Sequence, residues 1–133
     1  MQVSIRRRET SIEAIVLFPN YAEAYNGLGN AYADLSDYSK AIDAYTKAIT
    51  LKPNYSRAYS GLGTVYEDLS KTHEAMGAYQ KAVAFDPGDD YSHYRLGELY
   101  LNVGSKVLAQ QEYAILKGLN SSYADRLRND INK

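Results

Sequence analysis

His73 and His93 are the only side chains in this sequence whose unperturbed titration falls near neutral pH, so proton transfer at that pH would have to begin with them. Neither stands in a catalytic arrangement. His73 lies beside Glu74, and His93 precedes Tyr94 at a position where the rest of the chain uses an aromatic. No nucleophile, base and orienter can be grouped around either one, so both read as structural. The absence of cysteine removes thiolate catalysis, disulfides and cysteine-ligated zinc. Asp86, Asp89 and Asp90 gather around Gly88, but without the ligand alternation of a calcium loop; they read as helix capping and dipole complementation. Gly27-Leu-Gly29 and Gly61-Leu-Gly63 lack the strand-turn-helix setting of a phosphate cradle. The expectation is a protein that is not an enzyme, with no metal and no cofactor.

The chain has 133 residues, 45% of them hydrophobic, which fits one domain or one short repeat array. A formal net charge of -1 gives no general attraction to phosphate, so nucleic acid is not an expected partner. Arg6-Arg7-Arg8 followed by Ile12 to Phe18 has the outline of a signal peptide, yet Glu9 and Glu13 interrupt it and no small-residue cleavage site follows. No apolar run approaches the ~20 residues of a membrane-spanning helix. A soluble protein is expected, without membrane insertion; the compartment stays open, with the cytoplasm as default.

What must position any functional residue is a repeat. Gly29, Gly63 and Gly97 stand 34 residues apart, each inside a similar phrase: Tyr25-Asn-Gly-Leu-Gly-Asn-Ala-Tyr32, Tyr59-Ser-Gly-Leu-Gly-Thr-Val-Tyr66 and Tyr94-Arg-Leu-Gly-Glu-Leu-Tyr100. A period of that length means a helical hairpin copied along the chain and stabilised by stacking on its neighbours. Tyr25, Leu28, Tyr32 and Leu35 fall on one stripe of a first helix; Tyr38, Ala41, Ile42, Tyr45, Ala48 and Ile49 form the second, which stops before Pro53. The next copy repeats this plan up to Pro87. Gly29 with Ala41, Gly63 with Ala75 and Gly97 with Ala109 read as small pairs that let helices approach. Asn20 and Asn54 read as N-caps, with Glu23 placed for a capping box. Most of the fourteen tyrosines recur in register and read as packing; Tyr91 and Tyr94 are the exceptions.

These residues resemble the tetratricopeptide repeat family, whose pattern is an aromatic, Leu-Gly, Tyr, then Ala, aromatic, Ala and Pro. The resemblance implies an all-α, right-handed superhelical solenoid of antiparallel helix pairs. The expected repeats are 22–55, 56–89 and 90–121, the last with His93, Leu116 and Ser121 at departures from the pattern. Residues 122–133 read as a capping helix begun by Ser122, with Tyr123, Leu127 and Ile131 on one side. Residues 1–21 read as a partial N-terminal repeat, helix B without its helix A, in which Ala14 and Pro19 match but Arg7 and Ser11 depart.

In the family, first helices line a concave groove that holds a peptide or partner segment. Helical phase places Glu23, Asn26, Asn30, Ala33 and Asp34 opposite the first core stripe, and Arg57, Ser60, Thr64, Glu67 and Asp68 opposite the second. Opposite the third stand Tyr91, Tyr94, Arg95, Glu98, Leu101 and Asn102. The expected function is a non-catalytic adaptor or scaffold that binds a protein or peptide ligand there: a polar to mildly basic segment, with an apolar residue anchored near Tyr94. Two alternatives are self-assembly into a homo-oligomer through Ile5, Ile12, Ile15 and Val16 of the unpaired first helix, and a targeting module of a longer multidomain protein.

Overall fold

The computed structural model describes residues 2–18 and 20–133, with side chains from residue 5 onward. Among the described residues there are eight helices and no strand: α1 (Gln2–Leu17), α2 (Ala22–Asp34), α3 (Tyr38–Leu51), α4 (Ser56–Asp68), α5 (Thr72–Phe85), α6 (Asp90–Asn102), α7 (Lys106–Gly118) and α8 (Tyr123–Ile131). Consecutive helices pack side by side, and α4 touches α2 while α8 touches α6. This is a helical solenoid. None of these helices is long and apolar enough to cross a membrane.

The turns inside the hairpins follow the 34-residue period too. Ser36, Ser70 and Gly104 have φ of 59°, 58° and 81°, the left-handed conformation that ends a helix. At the first, Ser36 N–H bonds Ala33 O and Asp37 N–H bonds Tyr32 O, which satisfies two of the carbonyls that a helix end leaves open. The links between hairpins behave otherwise than the N-cap expectation. Tyr55 N–H bonds Lys52 O at 3.0 Å, so Pro53 and Asn54 form the middle of a tight turn. The N-caps are Tyr21 and Tyr55, without side-chain caps, instead of Asn20 and Asn54. Glu23 reaches Lys52 at 3.6 Å instead of its own helix start. At α8, Ser121 Oγ rather than Ser122 accepts a backbone bond, from Tyr123 N–H at 3.1 Å. Pro19 lies outside the described residues.

Two apolar clusters run along the stack. One joins Ala41, Tyr45, Ala48, Tyr55, Ala58, Leu62 and Val65; the other joins Tyr79, Leu96, Leu99, Tyr100, Leu116, Leu127 and Ile131, and Tyr66 touches both. Leu127 and Ile131 of α8 are buried while Asp125, Arg126 and Arg128 stay in solvent, so α8 has one apolar and one polar face.

The glycines make room for rings, and this corrects the small-pair reading. A Cβ on Gly29 would sit 2.7 Å from the Tyr45 ring, and one on Gly63 would sit 2.7 Å from Tyr79. Gly61 also faces Tyr45, and Gly97 faces Leu127 of α8. Because Tyr79 is fully buried, its ring cannot swing aside. Gly63→Ala is therefore expected to cost about 1–3 kcal/mol, measured as a lowered urea midpoint with unchanged slope.

Candidate functional site

Along α2, α4 and α6 the inner face follows the repeat. Asn26, Ser60 and Tyr94 share one register, as do Gly27, Gly61 and Arg95, then Asn30, Thr64 and Glu98. These shared registers make the two clefts, α2–α4 and α4–α6, a comparison within one molecule.

Arg95 fills the α4–α6 cleft. Its guanidinium forks onto Glu67, with Nε at 3.1 Å from Oε2 and Nη2 at 2.8 Å from Oε1, and its Nη1 donates to Glu98. Such a bidentate pair is the strong form of a charge-assisted bond. Burial by itself would lower the Arg95 pKa, but the Glu67 bond and the charges of Glu67 and Glu98 hold it above its ordinary value. Tyr79 donates to the same Glu67 carboxylate at 3.0 Å, and its hydroxyl lies 3.0 Å from Thr64 Oγ1. Thr64 in turn meets the Tyr91 hydroxyl at 3.3 Å, and Ser92 donates to Ser60 Oγ at 3.1 Å.

Tyr94 does not offer the open apolar anchor expected of it. It is 6% exposed, stacked on Tyr123 at 4.8 Å between ring centroids, with the Arg126 guanidinium 5.0 Å from its own. Burial and its bond to Glu98 push the hydroxyl up to about 12. Tyr91 packs edge-on against Tyr79 and Tyr123. Helix α8 occupies the space where a ligand side chain was expected, because it docks on α6 as the next first helix would. Asn102 is exposed at the end of α6.

The α2–α4 cleft is open. At the register of Arg95 stands Gly61, at that of Glu67 stands Ala33, and at that of Glu98 stands Thr64. The result is a cavity of about 420 Å³ with the Tyr45 ring among its walls, lined also by Asn26, Asn30, Ser60 and Thr64, with Arg57 and the Arg7–Asp34 pair. Tyr45 donates to Asn30 Oδ1, and burial raises its pKa, reinforced by the nearby Asp34 charge. Asp34 pairs with Arg7 of α1 at 3.1 Å. Arg57 is exposed and, among the described residues, has no ion-pair or hydrogen-bond partner. Asn26 is 9% exposed, and its Oδ1 is buried without a partner among the described residues.

Helical phase thus brought most of the expected groove residues to one face and missed what divides it. Four of the five acids that pointed to a basic ligand are already paired, Glu23 with Lys52, Asp34 with Arg7, and both Glu67 and Glu98 with Arg95, while Asp68 at the end of α4 is exposed. Sequence reasoning also missed Arg7. It stands in register with Ala41, and that departure from the pattern was the available signal.

His93 is buried, its Nδ1 2.7 Å from Glu112 Oε2 and its Nε2 2.9 Å from the Pro87 carbonyl. It ties α6 to α7 and to the preceding turn. Asp89 and Asp86 accept backbone bonds from Ser92 and Gly88, so the acidic loop caps and shapes a turn. Among the described residues no group of three or more His, Asp or Glu could hold a metal ion.

Known proteins place this arrangement. No curated protein matches the sequence. A crystal structure of MamA is similar at 30% identity and a TM-score of 0.78, over 85% of this chain and 66% of that one. A second crystal structure of MamA protein gives 30% identity and 0.68, over 92% and 62%. The chain therefore spans a little under two thirds of the length of these structures. The pilF protein of Pseudomonas aeruginosa shares the fold at 21% identity and a TM-score of 0.76, over 83% of this chain and 50% of that one. Family models described as tetratricopeptide repeat match residues 22–55, 56–89 and 78–111. With its stacked hairpins and glycine-seated tyrosines, the chain belongs to the tetratricopeptide repeat family.

Proposed function

We propose that this protein is a non-catalytic adaptor that holds an extended segment of a partner protein in the cleft between α2 and α4. One observation carries the reading: at the register where Arg95 fills the neighbouring cleft, Gly61 leaves about 420 Å³ among polar side chains. Asn30, Ser60 and Thr64 suit a peptide backbone, which offers a donor and an acceptor at each residue. In this reading Arg95, Glu67 and Glu98 brace α4 against α6, and Tyr91 and Tyr94 seat the cap.

The test is peptide display on the intact protein, repeated on Ala33→Trp, which fills the cleft from its rim. Captured peptides should lose at least tenfold in affinity on the variant, while its helical circular dichroism stays that of the parent. No capture, or capture indifferent to Ala33→Trp, would remove the groove reading.

A second reading, self-assembly through α1, rests on a separate feature. Val16, Leu17 and Phe18 are 74%, 71% and 62% exposed, and Ile12 joins them on the surface. If this surface joins copies, sedimentation should show mass rising with concentration, and Val16→Glu with Leu17→Glu should abolish the rise without affecting peptide capture.

A further inference from the structure

The two clefts differ in charge as well as in space, and the difference selects a guest. In the α4–α6 cleft a guanidinium lies between Glu67 and Glu98. At those registers the α2–α4 cleft has Ala33 and Thr64, which have no charge to hold a cation. Its two carboxylates on α2 are engaged, Asp34 by Arg7 and Glu23, at the register of Arg57, by Lys52. Its mouth instead presents Arg57, whose guanidinium has no partner among the described residues. Asn26, which also lines the cleft, has its Oδ1 buried with no donor, although a buried acceptor left unpaired is destabilising. The site thus offers an unpaired guanidinium at the rim, while Glu23 beside it is held by Lys52 and Asp86 by Gly88 N–H, and an unpaired amide oxygen inside.

An acidic peptide residue satisfies both, with a side-chain carboxylate for the guanidinium and a backbone N–H for the amide oxygen. Building on the groove reading above, we infer that the α2–α4 cleft recognises an extended, acidic segment of a partner protein, with an Asp or Glu paired to Arg57 and a nearby backbone N–H bonded to Asn26 Oδ1. Length favours an internal segment over a chain end. From the register of Arg57, which is that of Glu23, to Asp34 is eleven residues of helix. That is about 16 Å at 1.5 Å per residue, the span of about five extended residues. A terminal carboxylate would engage only the Arg57 end.

The test uses the intact protein and a random decapeptide library in two forms, one amidated at the C-terminus and one with a free carboxylate. The expected result is enrichment of Asp or Glu in the amidated library. Those peptides should bind Arg57→Glu at least tenfold more weakly, and that variant should select Lys or Arg in their place. Asn26→Leu should lose affinity for the same peptides while its helical circular dichroism stays that of the parent. Enrichment confined to the free-carboxylate library would overturn the inference in favour of chain termini. Peptides that are captured, and lost on Ala33→Trp, but show no acidic preference and ignore Arg57→Glu, would overturn the carboxylate inference and leave the groove reading standing. Capture that fails altogether, or ignores Ala33→Trp, would overturn both.

Discussion

Tyr79→Ala is expected to reduce the free energy of unfolding by about 3–5 kcal/mol, the usual cost of emptying a buried aromatic site. The ring is fully buried over Gly63 and meets Tyr91 edge-on at 6.3 Å between centroids. Its hydroxyl donates to Glu67, the carboxylate that also receives the Arg95 fork. Truncation therefore opens a cavity and removes one of the donors on Glu67. Tyr79→Phe separates the two terms, because it keeps the ring and gives up only a bond to a charged acceptor, about 1.5–3 kcal/mol. Since a repeat stack is stabilised by contacts between neighbours, the loss should fall at one junction. Hydrogen exchange should show α6 to α8 losing protection before α2 and α3. Urea unfolding of both variants checks the magnitudes; a Tyr79→Ala cost under about 1 kcal/mol would mean the neighbours close over the gap.

The second large effect lies at His93 and Glu112, which are 5% and 9% exposed. Both imidazole nitrogens face acceptors, Glu112 and the Pro87 carbonyl, and two acceptors call for two N–H donors, which is the imidazolium. Burial would lower the His93 pKa; the bond to Glu112, the bond to Pro87 and the charges of Glu112 and Asp89 together raise it above its ordinary 6.5. A folded-state pKa above the unfolded one gives stability that is complete below the unfolded value and lost as pH rises through the folded value. The melting temperature of the parent should therefore fall through this pair as pH rises above the ordinary histidine value of 6.5. His93→Gln should flatten that part of the profile. Glu112→Ala leaves a buried imidazolium without its counter-charge and should cost about 3–5 kcal/mol near pH 6. A His93→Gln profile that still parallels the parent's would assign the pH dependence to other groups.

His93 occupies the register that Tyr25 and Tyr59 hold in the first two hairpins, and the sequence marks this as a departure without saying what compensates it. Glu112 supplies the compensation from α7, 19 residues away, and only the folded chain brings the two together. Arg7 is a similar case, a departure from pattern whose meaning lies in Asp34 on the next helix.

The 34-residue spacing of the Leu-Gly phrases and the prolines that end the second helices determined the fold, because a copied hairpin has one economical way to bury its stripe. Helical phase determined which residues share the inner face, since about 100° per residue fixes a direction whatever the helix packs against. Tertiary structure decided which part of that face stays open. Gly61 and Arg95 stand at one register, yet whether a guanidinium projects into solvent or closes a cleft depends on Glu67 and Glu98, which reach it only after α4 and α6 stack. Tyr94, facing inward by phase, is covered because α8 folds back over α6. Period and phase are local properties of a chain; pairing of charges and covering of rings belong to contacts between distant segments, and those exist only in the folded stack.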